Sequence, residues 1–138
     1  MTFSGINYFA ILLAAVGAFA FGAAWYTTLS KPWMEGLGKT KDELQAAHKG
    51  ASSPFIVTFA AELLMAWVLA GLIGHMGAVT LRTGVISAAF CWLGFVIPSM
   101  AANHAFHGSK RQLTLIDGGH WLGVLLIEGA IIGALGMH

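Results

Sequence analysis

The 138-residue sequence predicts an all-α fold, a four-transmembrane-helix bundle forming one domain over residues 1–138. Three observations lead there. Four apolar runs each reach the roughly 20 residues that a bilayer core demands of a helix. Only 9% of residues are charged and 57% are hydrophobic, whereas a soluble domain carries about 25% charged residues. Eighteen glycines suit a membrane bundle, in which small residues let helices approach closely. A net charge of +1 leaves no basic footprint for nucleic acid. The partner that the composition demands is a lipid bilayer. The single cysteine, Cys91, lies in an apolar run and cannot form an intrachain disulfide.

The first run, Ile6–Leu29, carries no charge. Ala18-Phe19-Ala20 has the small-x-small form of a signal-peptide cleavage site. The run lacks a preceding basic segment and is long enough to span, so it reads as a retained helix. Asn7, Ala14, Ala18 and Trp25 share one face, which is expected to point into the bundle. Ala10, Ala14, Ala18 and Gly22 recur every four residues as a close-packing ridge. In the following loop, Thr40 and Glu43 make a capping box that predicts a short helix over Lys41–Lys49.

The second run is Pro54–Met76, with Ser53 as N-cap and Pro54 at the first helical position. It contains Glu62. Thr58 lies one turn earlier on the same face, where its hydroxyl could bond that carboxyl. The third run, Thr83–Phe106, contains Pro98, which removes a backbone hydrogen bond and bends the helix. Trp92, Val96, Ser99, Asn103 and His107 align along it. The fourth run, Gly118–Met137, has Asp117 as a candidate N-cap and Glu128 inside it. Gly119/Gly123 and Gly129/Gly133 give two GxxxG spacings. Glu128 falls on roughly the opposite side, with Trp121, Leu125 and Ile132. Two packed faces favour a homo-oligomer, although packing within the chain is the weightier explanation of the glycines.

Orientation follows from the lysines and arginines between the runs. Lys31, Lys39, Lys41 and Lys49 follow the first run, Arg82 the second, and Lys110 and Arg111 the third. The first and third loops are therefore expected in the cytoplasm, the short helix with them, and both termini outside. Trp25, Tyr26 and Trp33 fall where an inner aromatic belt would sit.

Glu62 and Glu128 are the foremost candidate site residues. An acidic side chain in a membrane span costs roughly 2.5–3.5 kcal/mol on insertion scales and marks a functional site by default. Glu62 lies eight residues from Pro54, about 12 Å, and Glu128 ten from Gly118, about 15 Å. At similar depth, the two could face each other and share a proton. The functional reading is a small transporter or channel-like protein in which they handle protons or cations. The structural one is that each is hydrogen-bonded within the bundle. Thr58, Asn7 and Asn103 complete the intramembrane polar set.

A second constellation is Asn103-His104-Ala105-Phe106-His107 followed by Asp117-Gly118-Gly119-His120. HxxH and DxxH spacings put ligands on one helical face, so His104, His107 and His120 could converge on a metal or hold haem between two of them. Capping by Asp117 and the helix C-terminus beside His104 and His107 explain the same residues without a ligand. No nucleophile–base pair or phosphate loop is present, so an enzyme is not expected. A third reading is a structural or accessory subunit of a larger membrane complex, docked through small-residue faces.

Ile6-Asn7-Tyr8, Phe21-Gly22, Trp25-Tyr26, Trp33 and the capped Thr40–Leu44 segment, with Leu113 to His120 and Gly129–Gly133, resemble a bacterial family. It is the domain of unknown function numbered seventeen-sixty-one. The resemblance covers almost the whole chain. It implies a four-helix, multi-pass protein of the bacterial inner membrane and supplies no catalytic residues. Asn7, Trp25, Tyr26 and Trp33 look more characteristic of that pattern than Glu62 or Glu128.

Overall fold

The computed structural model describes residues 3–48 and 53–136. The elements are α1 (Tyr8–Thr28), α2 (Ser30–Leu37), α3 (Lys41–His48), α4 (Ser53–Met76), α5 (Leu81–Cys91), a π-turn (Trp92–Val96), α6 (Ile97–His107) and α7 (Arg111–Leu135). There is no strand among the described residues. Four helices, Tyr8–Thr28, Ser53–Met76, Leu81–His107 and Arg111–Leu135, are long and apolar enough to cross a membrane. This is the build of a multi-pass membrane protein.

Helix α1 buries the small-residue ridge of Ala10, Ala14, Ala18 and Gly22. Asn7 is buried, as the stripe predicts, but stands just before the helix rather than inside it. It is the N-cap, and its side chain accepts a hydrogen bond from the Ala10 N–H at 3.1 Å. At the other end the chain turns directly into α2, a helix the sequence reading left as loop. Gly38, with φ 70°, closes α2 in the left-handed conformation that glycine adopts at least cost. Thr40 caps α3 as predicted, accepting from the Glu43 N–H at 3.2 Å. Lys49, placed both in that helix and in the charge count, lies outside the described residues, as does Met137 at the predicted end of the fourth span.

Ser53 is already the first residue of α4 rather than its cap. Thr80 and Thr83 form a reciprocal capping box, with bonds of 3.0 and 3.1 Å, that starts α5 at Leu81, two residues before Thr83. Pro98, expected to disturb its helix, lies just after an irregular turn. The π-turn precedes it, with the Ile97 N–H reaching back five residues to the Trp92 carbonyl. Such one-turn π-bulges take up a local break in the helical ladder. The Ser99 hydroxyl donates to the nearby Phe95 and Val96 carbonyls at 2.5 and 3.0 Å.

Helix α7 begins at Arg111, seven residues before the predicted Gly118. Leu113 and Ile116 are buried in this early stretch, and α2 packs on it. The Gln112 amide donates to the Pro32 carbonyl at 2.7 Å and the Lys110 ammonium to the Glu35 carbonyl at 3.1 Å. Asp117 is therefore well inside a helix and caps nothing.

The bundle is organised around α7, which packs against α1, α2, α4, α5 and α6. Its two glycine pairs serve two different neighbours. Gly129 and Gly133 lie against the backbone of Gly84 and Thr80 on α5, so closely that a Cβ at any of the three glycines would overlap a carbonyl of the other helix. Gly119 and Gly123 receive the rings of Trp25 and Phe21 from α1. Both GxxxG seams are thus filled within one chain. Ala14, Ala66, Ile73, Ala88, Leu125 and Ile132 lie in the core between these contacts.

Candidate functional site

Glu62 projects from α4 and Glu128 from α7 into the interior of the bundle. Both are fully buried, at 0% exposure. None of their four carboxyl oxygens has a hydrogen-bond partner among the described residues. The two helices that carry them pack against each other. The hydroxyl expected to hold Glu62 is engaged elsewhere: Thr58 donates to the Pro54 carbonyl at 2.7 Å. A threonine inside a helix has the carbonyl four residues back within easy reach, and this one uses it. Neither α1 nor α4 contains a lysine or arginine, and in α7 the only one is Arg111 at its start. A buried polar group without a partner costs about 1–3 kcal/mol, and more when charged. Six buried polar atoms, contributed by these carboxyls and by His120, have no partner among the described residues, and each calls for an explanation.

About two to three turns nearer the start of α7 lies a second polar cluster. The Trp25 indole donates to the Ile116 carbonyl at 2.9 Å and the Trp92 indole to the Gly118 carbonyl at 2.8 Å. Two tryptophans from different helices thus clamp the same stretch of α7. The Tyr26 hydroxyl donates to the Asp117 carboxylate at 2.6 Å. His120, 3% exposed, stacks on Phe21 with ring centroids 6.3 Å apart and meets Tyr26 at 4.8 Å and Trp121 at 4.7 Å. Gly22 makes room for it, since a Cβ there would sit 2.8 Å from the imidazole Nε2.

The three histidines read as metal or haem ligands are not brought together. His120 faces α1. His104 is hydrogen-bonded through Nδ1 to the Thr114 hydroxyl at 2.7 Å. His107 is exposed. No group of three or more His, Cys, Asp or Glu side chains among the described residues is placed to hold a metal ion. The early start of α7 is the reason: it sets His120 ten residues into the helix, beside α1, instead of at a loop next to α6.

Asn103, counted with the intramembrane polar residues, is exposed on α6. With Val96, Ser99 and His107 from the predicted stripe it lines a groove of about 560 Å³, whose other wall is Ala61, Met65 and Trp121.

A family model described as "Protein of unknown function (DUF1761)" matches residues 9–133. The chain belongs to the DUF1761 family. Comparisons with curated proteins and with solved structures found no match. The DUF1761 segment includes both glutamates, the indole clamp and His120, whereas Asn7 precedes it by two residues.

Sequence reasoning picked out the DUF1761 carboxyls and missed the clamp. Trp25 does face into the bundle, as its stripe predicts, but with Tyr26 it also reads as a belt residue at a membrane surface, and the bonds by which both tie α1 to α7 were not foreseen. The available signal was that a buried indole or phenol needs a partner for its polar atom. In this chain the partners are the carbonyls and carboxylate of the Ile116-Asp117-Gly118 stretch.

Proposed function

We propose that this DUF1761 protein handles protons or small cations within the membrane through Glu62 and Glu128, as a small transporter or channel-like protein of the bacterial inner membrane. The observation that carries the reading is the state of the two carboxyls: fully buried and without a hydrogen-bond partner among the described residues. A carboxyl kept only for packing would be expected to acquire a donor, because leaving it unmatched is the costly option. Intramembrane acids without a structural partner are characteristic of ion pathways and proton relays. Two of them on facing helices can pass a proton between them or ligate one cation together. Lys31, Lys39, Lys41, Lys110 and Arg111 cluster between the spans at one end of the bundle, which favours that end in the cytoplasm.

The test is flux. Purified protein in liposomes carrying an internal pH-sensitive dye should dissipate an imposed proton gradient when a counter-ion path is supplied. Glu62→Gln and Glu128→Gln, which keep shape and remove the exchangeable proton, should each lose most of that flux. Flux equal to wild type in both variants would sink the mechanism.

A further inference from the structure

We propose that the groove between α4 and α6 is a binding site for one anionic phospholipid, with the acyl chain along its apolar floor and the phosphate at Asn103 and His107. This is independent of what the glutamates do.

The first ground is the groove itself. Neither the π-turn nor α6 has a buried residue, although both belong to a membrane-crossing helix. The groove left beside α4, about 560 Å³, falls in the roughly 300–1,000 Å³ range of small-molecule sites.

The second ground is a polarity gradient. Ala61, Met65, Phe95 and Val96 give apolar walls, and Asn103, His104 and His107 gather towards the end of α6. Asn103 lies eight residues from Phe95, about 12 Å along the helix, and one turn from its end. A phospholipid has this same order of tail and head.

The third ground is unmet hydrogen bonding. His104 is engaged by Thr114. The side chains of Asn103 and His107 have no partner among the described residues and are exposed near the end of α6. Both can donate to a phosphate oxygen.

Charge selects the head. No aspartate or glutamate lines the groove. Arg111 follows closely on the turn that ends α6, while the neighbouring Lys110 is held by the Glu35 carbonyl on α2. The first turn of α7, beside His104, has no acidic residue and no side-chain cap. A second copy of the chain is the other candidate occupant. A concave site with a single polar end suits it less well, and the glycine seams that could have joined two copies are already filled.

Native mass spectrometry of the full chain in detergent, with phosphatidylglycerol or phosphatidylcholine added, tests the proposal. One phosphatidylglycerol per protomer should be retained, about tenfold more tightly than phosphatidylcholine. The Asn103→Leu/His107→Leu variant should lose that preference. Phosphatidylglycerol brominated in its acyl chains should quench wild-type fluorescence, and Trp121→Phe should remove part of the quenching. Equal retention of the two lipids overturns the site, as does a preference unchanged in the double variant. A stable lipid-free dimer that shields Asn103 also overturns it, in favour of a second copy. Both lipid-preference and quenching measurements on the wild type stand even if the double variant fails to fold.

Discussion

The contact between α5 and α7 makes the sharpest prediction. Gly84→Ala adds one methyl group where the two backbones touch. Its Cβ would lie 2.9 Å from the Gly129 carbonyl carbon and 3.3 Å from the Gly133 Cα, and closer still to the Gly129 oxygen. A normal carbon–carbon contact is about 3.5–4.0 Å, so the helices must part by roughly 0.6–1 Å at the carbon and more at the oxygen. A gap of that size forfeits a quarter to a half of each dispersion contact along the seam. Neither side can yield by rotating a side chain, because both are main chain. The cost should therefore fall at the top of the overpacking range, about 3 kcal/mol, a factor of about 100 in the folding equilibrium. Unfolding in mixed micelles, followed by tryptophan fluorescence, reads this directly, since Trp92 is bonded to α7. Gly94→Ala is the control. Nothing lies within 4 Å of its Cβ position, so it should be neutral or up to about 1 kcal/mol more stable. Equal stability of the two variants would refute the packing argument.

Glu128→Leu should abolish proton flux while raising stability by about 1–3 kcal/mol, because an unmatched buried carboxyl is exchanged for an apolar group; a less stable variant would mean that the carboxyl has a partner. Tyr26→Phe should cost about 1–2 kcal/mol through loss of the bond to Asp117, and an Asp117→Asn variant, which keeps an acceptor, should cost less in the same unfolding assay. Asn7→Ala should cost about 1 kcal/mol as the loss of a helix cap, with faster amide exchange confined to the first turn of α1. A comparable loss of proton flux in this variant would instead restore Asn7 to the interior site.

The architecture was legible because lipid permits few alternatives. Long apolar runs punctuated by Pro, Gly and lysine-bearing loops become helices, and the boundaries were missed only where polarity misled. Arg111-Gln112 and Thr114 conceal a helical start that Leu113 and Ile116 anchor. Pro32 and Trp33 conceal α2, whose helix is sustained by docking on α7. The glutamates stood out because charge is rare in such a sequence. Which group would answer them was not legible, since Thr58 could serve the carboxyl or its own backbone, and only the packed helix decides. The histidines come apart for a related reason: spacing fixes the face of a helix, but its starting point fixes which neighbour that face meets.

The central position of α7 has a consequence for biosynthesis. A chain enters the membrane from its N-terminus, so α7 is the last of the four spans to emerge. Until it arrives, α1, α4 and the α5–α6 helix lack the neighbour against which each makes much of its contact. The three earlier spans must wait in lipid with only their contacts to one another, chiefly α1 on α4, and with Gly84 and Trp25 lacking their α7 partners. Assembly then becomes one late closing event, set by insertion of a helix that carries its own glutamate into the apolar phase. A chaperone or insertase that shields Glu128 during that step would act on the whole bundle at once.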